Sequence, residues 1–269
     1  MKYWLALAAV LLWASSAVAQ EEDFNTQLMR ATVKISHDKS TGTGFVLLHG
    51  KTGRYVLVTA AHVLQNTPGD ETTVNFRSKP ASDEWKKEPV KLLIRKDGQP
   101  AWTQHPKEDV AVIAITPPQN ADLPVLSTDL LATDETLQRL QVHPGLRVML
   151  LGYPHREESN PAGFPVLRDG AIASFPLLPT EKTRTFTLSA NIFEGNSGGP
   201  VYFALPTQDS EKGSESKSEP GAILGVVSAQ RFLDEEMKMI YGTTKIRHRF
   251  GLGIIVHAAF VHETLELMK

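Results

Sequence analysis

Residues 194–201 read Glu194-Gly195-Asn196-Ser197-Gly198-Gly199-Pro200-Val201, a glycine-rich turn that opens into an apolar strand. Two upstream stretches share its design, a polar residue at the mouth of a strand. Thr59-Ala60-Ala61-His62-Val63-Leu64 closes the apolar run Tyr55–Thr59. His105-Pro106-Lys107-Glu108-Asp109 leads into the run Val110–Ile115. Outward from these, short apolar runs recur at Ala31–Ser36, Gly44–Leu48, Val90–Arg95, Arg147–Gly152, Thr183–Ser189, Gly199–Phe203, Ala222–Ser228 and Phe250–Val256. They are rich in Val, Ile, Leu, Phe and Thr. Several alternate, as Val33 and Ile35 do against Thr32 and Lys34. Many short strands at this spacing predict an all-β sandwich or barrel.

Helical periodicity is confined to two places. Ala258–Met268 sets Phe260, Val261, Leu265 and Met268 on one face and predicts a C-terminal helix. Thr133–Leu140 (TDETLQRL) predicts a short helix with Thr133 as N-cap, placed in the connection between two halves. Asp83–Lys87 is polar and is expected to be loop. Residues 207–220 (TQDSEKGSESKSEP) contain no large apolar side chain and predict a flexible surface loop.

The chain has 269 residues, 28 Lys and Arg against 30 Asp and Glu, and no Cys. A net charge of −2 lacks the basic excess of a nucleic-acid binder. The absence of Cys excludes a disulfide scaffold, a thiol nucleophile and a thiolate metal site. The first 19 residues read as a signal peptide. Lys2 supplies the positive region, Tyr3–Trp13 the apolar stretch, and Ala17-Val18-Ala19 the small-x-small cleavage pattern. That stretch is short for a membrane span, which needs about 20 apolar residues. The mature protein is therefore expected to be exported, to the periplasm or the medium, with no stable membrane anchor.

His62, Asp109 and Ser197 are separated by 47 and 88 residues. A serine hydroxyl is a weak nucleophile near neutral pH and needs a base during attack. An imidazole titrates near 6.5 and can take that proton and return it. A carboxylate on the other ring nitrogen fixes the tautomer. The oxyanion that forms needs backbone N–H donors. Gly195 suits that role, because without a Cβ its N–H reaches conformations other residues resist.

The motifs GTGFVL, TAAHV, DVAVI and GNSGGPV resemble those of trypsin-like (chymotrypsin-fold) serine proteases. Within that family, FGLGIIVHAAFVHETLEL and GLRVMLLGYP followed by VLRDGAIASF resemble the bacterial HtrA-type protease domain, here without a PDZ domain. The resemblance spans roughly residues 30–268. It implies two six-stranded antiparallel β-barrels with a C-terminal helix, the first over 20–133 and the second over 134–269. It makes Ser197 the nucleophile, His62 the general base and Asp109 the residue that orients it. The oxyanion hole falls at Gly195, Asn196 and Ser197. Ser228, Ala229 and Gln230 form the wall on which substrate backbone pairs as an added strand. Asn191 falls at the floor of the pocket for the residue before the scissile bond, with Ile192 beside it. An uncharged floor predicts a small or medium uncharged side chain there, not Lys or Arg.

One departure concerns activation. Asn196 stands where digestive proteases carry an Asp that pairs with a newly cut N-terminus, so activation by that route is not expected. The resemblance implies a serine endopeptidase acting on protein or peptide substrates, with no metal or organic cofactor. The alternative is a latent or inactive protease-fold protein that holds unfolded polypeptides as a chaperone or adaptor. Of the remaining histidines, His105 lies near Asp109 but is expected to face solvent. His262-Glu263-Thr264-Leu265-Glu266 lacks the second His of a zinc-protease motif. Lys245–Arg249 (KIRHR) is a basic cluster expected to be a solvated face.

Overall fold

The computed structural model describes residues 23–38, 40–79, 84–204 and 221–268. The signal-like segment 1–19 and the polar stretch 207–220 lie outside the described residues. No described helix is long and apolar enough to cross a membrane.

The first half starts with a helix that periodicity had not suggested, α1 (Phe24–Ala31). Asp23 caps it, accepting from the Thr26 N–H at 3.1 Å. Phe24, Leu28 and Ala31 form its buried face. The strands that follow are β1 (Thr32–His37), β2 (Ser40–Leu48) and β3 (Tyr55–Thr59). After α2 (Ala61–Gln65) come β4 (Glu71–Ser78), β5 (Lys86–Leu93), the two-residue pair β6 (Arg95–Lys96) and β7 (Gln99–Pro100), β8 (Thr103–Gln104) and β9 (Ala111–Ile115). Seven of them form an antiparallel sheet in the order β5-β4-β1-β2-β3-β9-β8.

Strand β4 was not expected, since ETTVNFRS holds too few apolar residues to stand out. It pairs with β1 and β5, and within it Arg77 turns inward. Arg77 is 2% exposed. Its Nη2 donates to the Arg30 and Thr32 carbonyls, each at 2.6 Å, and its Nη1 donates to the Gly163 carbonyl at 3.1 Å. Two of those acceptors lie at the end of α1, where helix carbonyls lose their intrahelical donors. Strand β5 begins at Lys86, so the polar segment expected as loop ends in a strand.

The connection contains α3 (Asp134–Arg139), capped by the Thr133 side chain as the sequence predicts. The second half is a closed barrel. Its strands are β10 (Arg147–Gly152), β11 (Val166–Ile172), β12 (Thr185–Ser189), β13 (Pro200–Ala204), β14 (Gly221–Met239) and β15 (Gly242–His257), with α4 (Thr180–Thr183) before β12. The order around the ring is β10-β11-β12-β15-β14-β13. Strands β14 and β15 run far beyond the apolar stretches 222–228 and 250–256 that the sequence marks.

The chain ends in α5 (Ala259–Glu266), which buries Phe260, Val261 and Leu265. The all-β architecture with a C-terminal helix is thus as read from the sequence. One core cluster runs through both halves, from Leu28, Phe45 and Val58 to Leu150, Val226 and Phe260. Burying so continuous an apolar surface, at roughly 25 cal/mol per Å², holds the halves together without disulfides. The loop before β9 is clasped to α5 by His105. Its Nε2 lies 3.0 Å from Glu263 Oε2, and its Nδ1 accepts from the Glu108 N–H at 2.9 Å. His105 is 6% exposed, so the expectation that it faces solvent is corrected. With the Lys107 N–H also 3.2 Å from Nδ1, the pull of three partners outweighs its hydration.

Candidate active site

His62 sits in the first turn of α2, directly after β3. Asp109 lies in the loop that enters β9, the neighbour of β3 in the sheet. The pairing of those strands brings the two residues together. Asp109 Oδ2 is 2.7 Å from His62 Nδ1, and Asp109 Oδ1 accepts from the His62 backbone N–H at 2.9 Å. One carboxylate therefore fixes the ring and satisfies an N–H at the start of α2.

A third donor was not foreseen in this role. Ser228 Oγ donates to Asp109 Oδ2 at 2.6 Å. Burial pushes the Asp109 carboxyl up, but the hydrogen bonds and charge of His62, with the Ser228 hydroxyl, outweigh it. The net result holds Asp109 below the ordinary aspartate value.

Ser197 comes from the second half, in the turn before β13. It shares a cleft of about 250 Å³ with His62, bounded by Thr41, Gly42, Val63 and Glu194. Its Oγ donates to the Ser228 carbonyl at 3.3 Å. Among the described residues no hydrogen bond joins it to His62. A larger hollow of about 670 Å³, lined by Tyr55, Ile115 and Pro117, carries no histidine or carboxylate.

The turn around Ser197 is shaped by backbone contacts. Gly195 has φ +94°, and a Cβ there would meet the Tyr153 carbonyl oxygen at 2.1 Å. Gly198 has φ +86°, and a Cβ would meet the Thr43 carbonyl oxygen at the same distance. Only glycine fits either position without strain. The Glu194 carbonyl accepts from the His155 N–H at 2.7 Å. Because a peptide group's C=O and N–H point opposite ways, the Gly195 N–H is turned away from that contact. Neither it nor the Ser197 N–H donates to another described group. Asn196 differs from its expected place in the hole: its N–H donates to the Phe193 carbonyl at 3.0 Å. Its buried Oδ1 accepts from the Phe193 N–H at 3.1 Å. Asn196 therefore closes the turn, and its backbone N–H is engaged there.

Thr43, inside the GTGF motif, braces this turn from the first half. Its Oγ1 donates to the Gly195 carbonyl at 2.6 Å, and its N–H donates to the Ser197 carbonyl at 2.8 Å. Nothing in the local pattern marks a buried threonine for this contact, because its partner lies 152 residues away.

The other predicted residues are not among those that bound this cleft. Asn191 is exposed, and its Oδ1 lies 3.3 Å from where a Cβ on Gly251 would stand. Ile192 is buried, its side chain filling the space that a Cβ on Gly253 would take. Both residues thus face β15. Ser228, Ala229 and Gln230 follow one another on β14, where the strand leaves β13.

A family model described as a trypsin-like peptidase domain matches residues 42–204. Two solved structures of inactive forms of the Rv3671c protease, one described as a serine-to-alanine mutant from M. tuberculosis H37Rv, are each 20% identical to this chain. Each covers 90% of this chain, with 90% and 88% of its own chain matched, at a TM-score of 0.45. No curated protein matches the sequence.

Proposed function

The chain belongs to the trypsin-like peptidase family, and from that premise we propose that it is an exported serine endopeptidase whose working residues are Ser197, His62 and Asp109. The carrying observation is the pairing of His62 Nδ1 with Asp109 Oδ2 at 2.7 Å, in a cleft that also holds Ser197. With Nδ1 engaged, His62 has Nε2 left for the serine proton.

A bound substrate chain pairs with β14, and its N–H takes the Ser228 carbonyl. That contact releases the Ser197 hydroxyl from its present acceptor and turns it toward His62. Ser197 Oγ attacks the scissile carbonyl carbon while its proton passes to His62. The carbonyl oxygen becomes an oxyanion facing the Gly195 and Ser197 N–H groups. Collapse expels the amine, which takes the proton back from His62 and leaves an acyl-enzyme. Water repeats the sequence and frees the acid. Asp109 stays ionised and stabilises the imidazolium.

Export rests on Lys2, the apolar stretch Tyr3–Trp13 and Ala17-Val18-Ala19. The mass of the mature protein tests it, with cleavage after Ala19 expected. A fluorophosphonate that acylates only activated serines tests the chemistry. Wild type should label, and Ser197→Ala and His62→Ala should not. An unlabelled, folded wild type would refute this reading and favour a binding protein built on the same cleft.

A further inference from the structure

Strands β14 and β15 do not stop at the barrel rim. From Phe232↔Arg249 to Met239↔Gly242 they continue as a two-stranded ribbon. Its faces differ, since side chains alternate along a strand. One face carries Phe232, Asp234 and Lys238 opposite Arg249, Arg247 and Thr243. There Arg247 reaches both Asp234 oxygens, at 2.7 and 2.9 Å, and stacks 3.9 Å from the Phe232 ring. The basic cluster KIRHR is thus tied down by cross-strand pairs.

The other face carries Leu233, Met237 and Met239 beside Ile246, with one polar pair, Glu235 and His248 at 2.9 Å, among them, and the tip adds Ile240 and Tyr241. Tyr241 is fully exposed, Ile240 91% and Met239 63%. A two-stranded ribbon with an apolar face in water is marginal alone and gains from a third strand.

The edge of β14 supplies the place for one. Beyond Val227, β14 pairs only with β15 among the described residues, so its other edge is unpaired from Ser228 to Met239. That edge begins at Ser228, Ala229 and Gln230, the wall proposed to receive substrate. A chain pairing antiparallel there has its upstream residues running outward along the ribbon.

We propose that the ribbon is a track for the upstream part of the substrate. The preferred substrate is then an unfolded polypeptide with apolar residues at alternate positions, about six to twelve residues before the scissile bond. Backbone pairing supplies affinity, and Leu233, Met237 and Met239 read the apolar positions. This inference rests on the endopeptidase reading above.

The test compares an octapeptide that the enzyme cleaves, chosen from a peptide library, with the same peptide extended upstream by ten residues carrying Leu at alternate positions. Wild type should cleave the longer peptide ~10-fold more efficiently in kcat/KM, mainly through KM. A variant with residues 233–248 replaced by Asn-Gly should cleave both alike and label with fluorophosphonate at the wild-type rate. Met237→Glu with Met239→Glu should lose most of the preference while keeping the ribbon. Binding of the long peptide to Ser197→Ala, with and without the ribbon, is read by fluorescence anisotropy. It tests the track even if turnover fails. Equal cleavage of both peptides by wild type, or a length preference that survives ribbon removal, would overturn the proposal. So would a change from dimer to monomer on ribbon removal with the preference intact, which would assign the apolar face to self-association.

Discussion

Thr43 Oγ1 donates to the Gly195 carbonyl at 2.6 Å, so a strand of the first half holds the glycine-rich turn of the second half from behind. The same residue's N–H holds the Ser197 carbonyl, and its Oγ1 accepts from the Tyr153 N–H at 3.3 Å. Thr43 thus fixes the Gly195–Asn196 peptide, which sits between the Gly195 and Ser197 N–H groups of the proposed oxyanion hole, through a contact between the halves.

Thr43→Val removes the hydroxyl at nearly constant volume. The Gly195 carbonyl loses its donor and the peptide is freer to turn. Fluorophosphonate labelling of Ser197 should slow by roughly 10- to 100-fold, the cost of a displaced oxyanion donor. Thr43→Ser keeps the hydroxyl and should label near the wild-type rate. An equal loss in both variants would show that packing, and not the hydrogen bond, is what matters.

Ser228→Ala should weaken catalysis without touching the three reacting residues. Asp109 loses a donor at 2.6 Å, so its carboxyl rises toward the ordinary aspartate value. A hydrogen bond to a charged group contributes about 1.5–3 kcal/mol, which corresponds to a loss in kcat/KM of roughly tenfold or more. The sign for stability follows from the same shift. A depressed carboxyl stabilises the fold above its unfolded value, and that contribution is lost as pH falls through the folded value. The variant should therefore lose stability at neutral pH and show a shallower decline in acid. Urea unfolding at several pH values below 5 reads this directly.

His257 sets a second pH dependence in a different window. Its ring is buried against Phe186 at 5.0 Å, and burial pushes it down to about 4. The unfolded chain protonates His257 near 6.5. Between these values the unfolded state binds the extra proton, so stability should fall as pH drops from about 6.5 to about 4, by up to ~1.4 kcal/mol per pH unit. His257→Gln should flatten that slope, whatever its effect on absolute stability. Thermal midpoints at pH 4.5, 5.5 and 6.5 make the comparison, and an unchanged slope would count against the assignment.

Arg77→Met should be among the most damaging changes outside the cleft. The guanidinium is enclosed by the Arg30, Thr32 and Gly163 carbonyls, the Tyr153 hydroxyl and the Phe164 ring. Methionine fills the stem but removes the guanidinium donors, so one Tyr153 hydroxyl, 3.3 and 3.1 Å away, is left to serve both the Thr32 and the Gly163 carbonyls. A loss of about 3 kcal/mol or more is expected in denaturant unfolding. The effect should include release of α1, so cleavage of residues 23–31 by an added protease offers an independent readout.

Much of the architecture was legible from short-range pattern. Tyr55–Thr59 and Arg147–Gly152 stand where the apolar runs put them, and Thr133 caps α3 as its spacing predicts. These elements announce themselves because their stabilising contacts lie within a few residues, or because a whole face is apolar. The His62, Asp109 and Ser197 segments were legible through their motifs. The hydroxyl of Ser228 was placed at the substrate wall, and its contact with Asp109 could not be read, since 119 residues separate the two.

By itself, then, the sequence determined that this is a strand-built chain with a C-terminal helix and three chemically loaded strand ends. Alternation, capping and glycine turns are local and need no partner to be recognised. Tertiary structure alone decided what joins those ends. Thr43 reaches Gly195, Ser228 reaches Asp109 and Arg77 reaches the end of α1 only after the sheet and the barrel have packed. The outer ribbon of β14 and β15 belongs to the same class. Its residues face no core, so no burial pattern marks them as strand, and only pairing between the two chain segments reveals the edge they present.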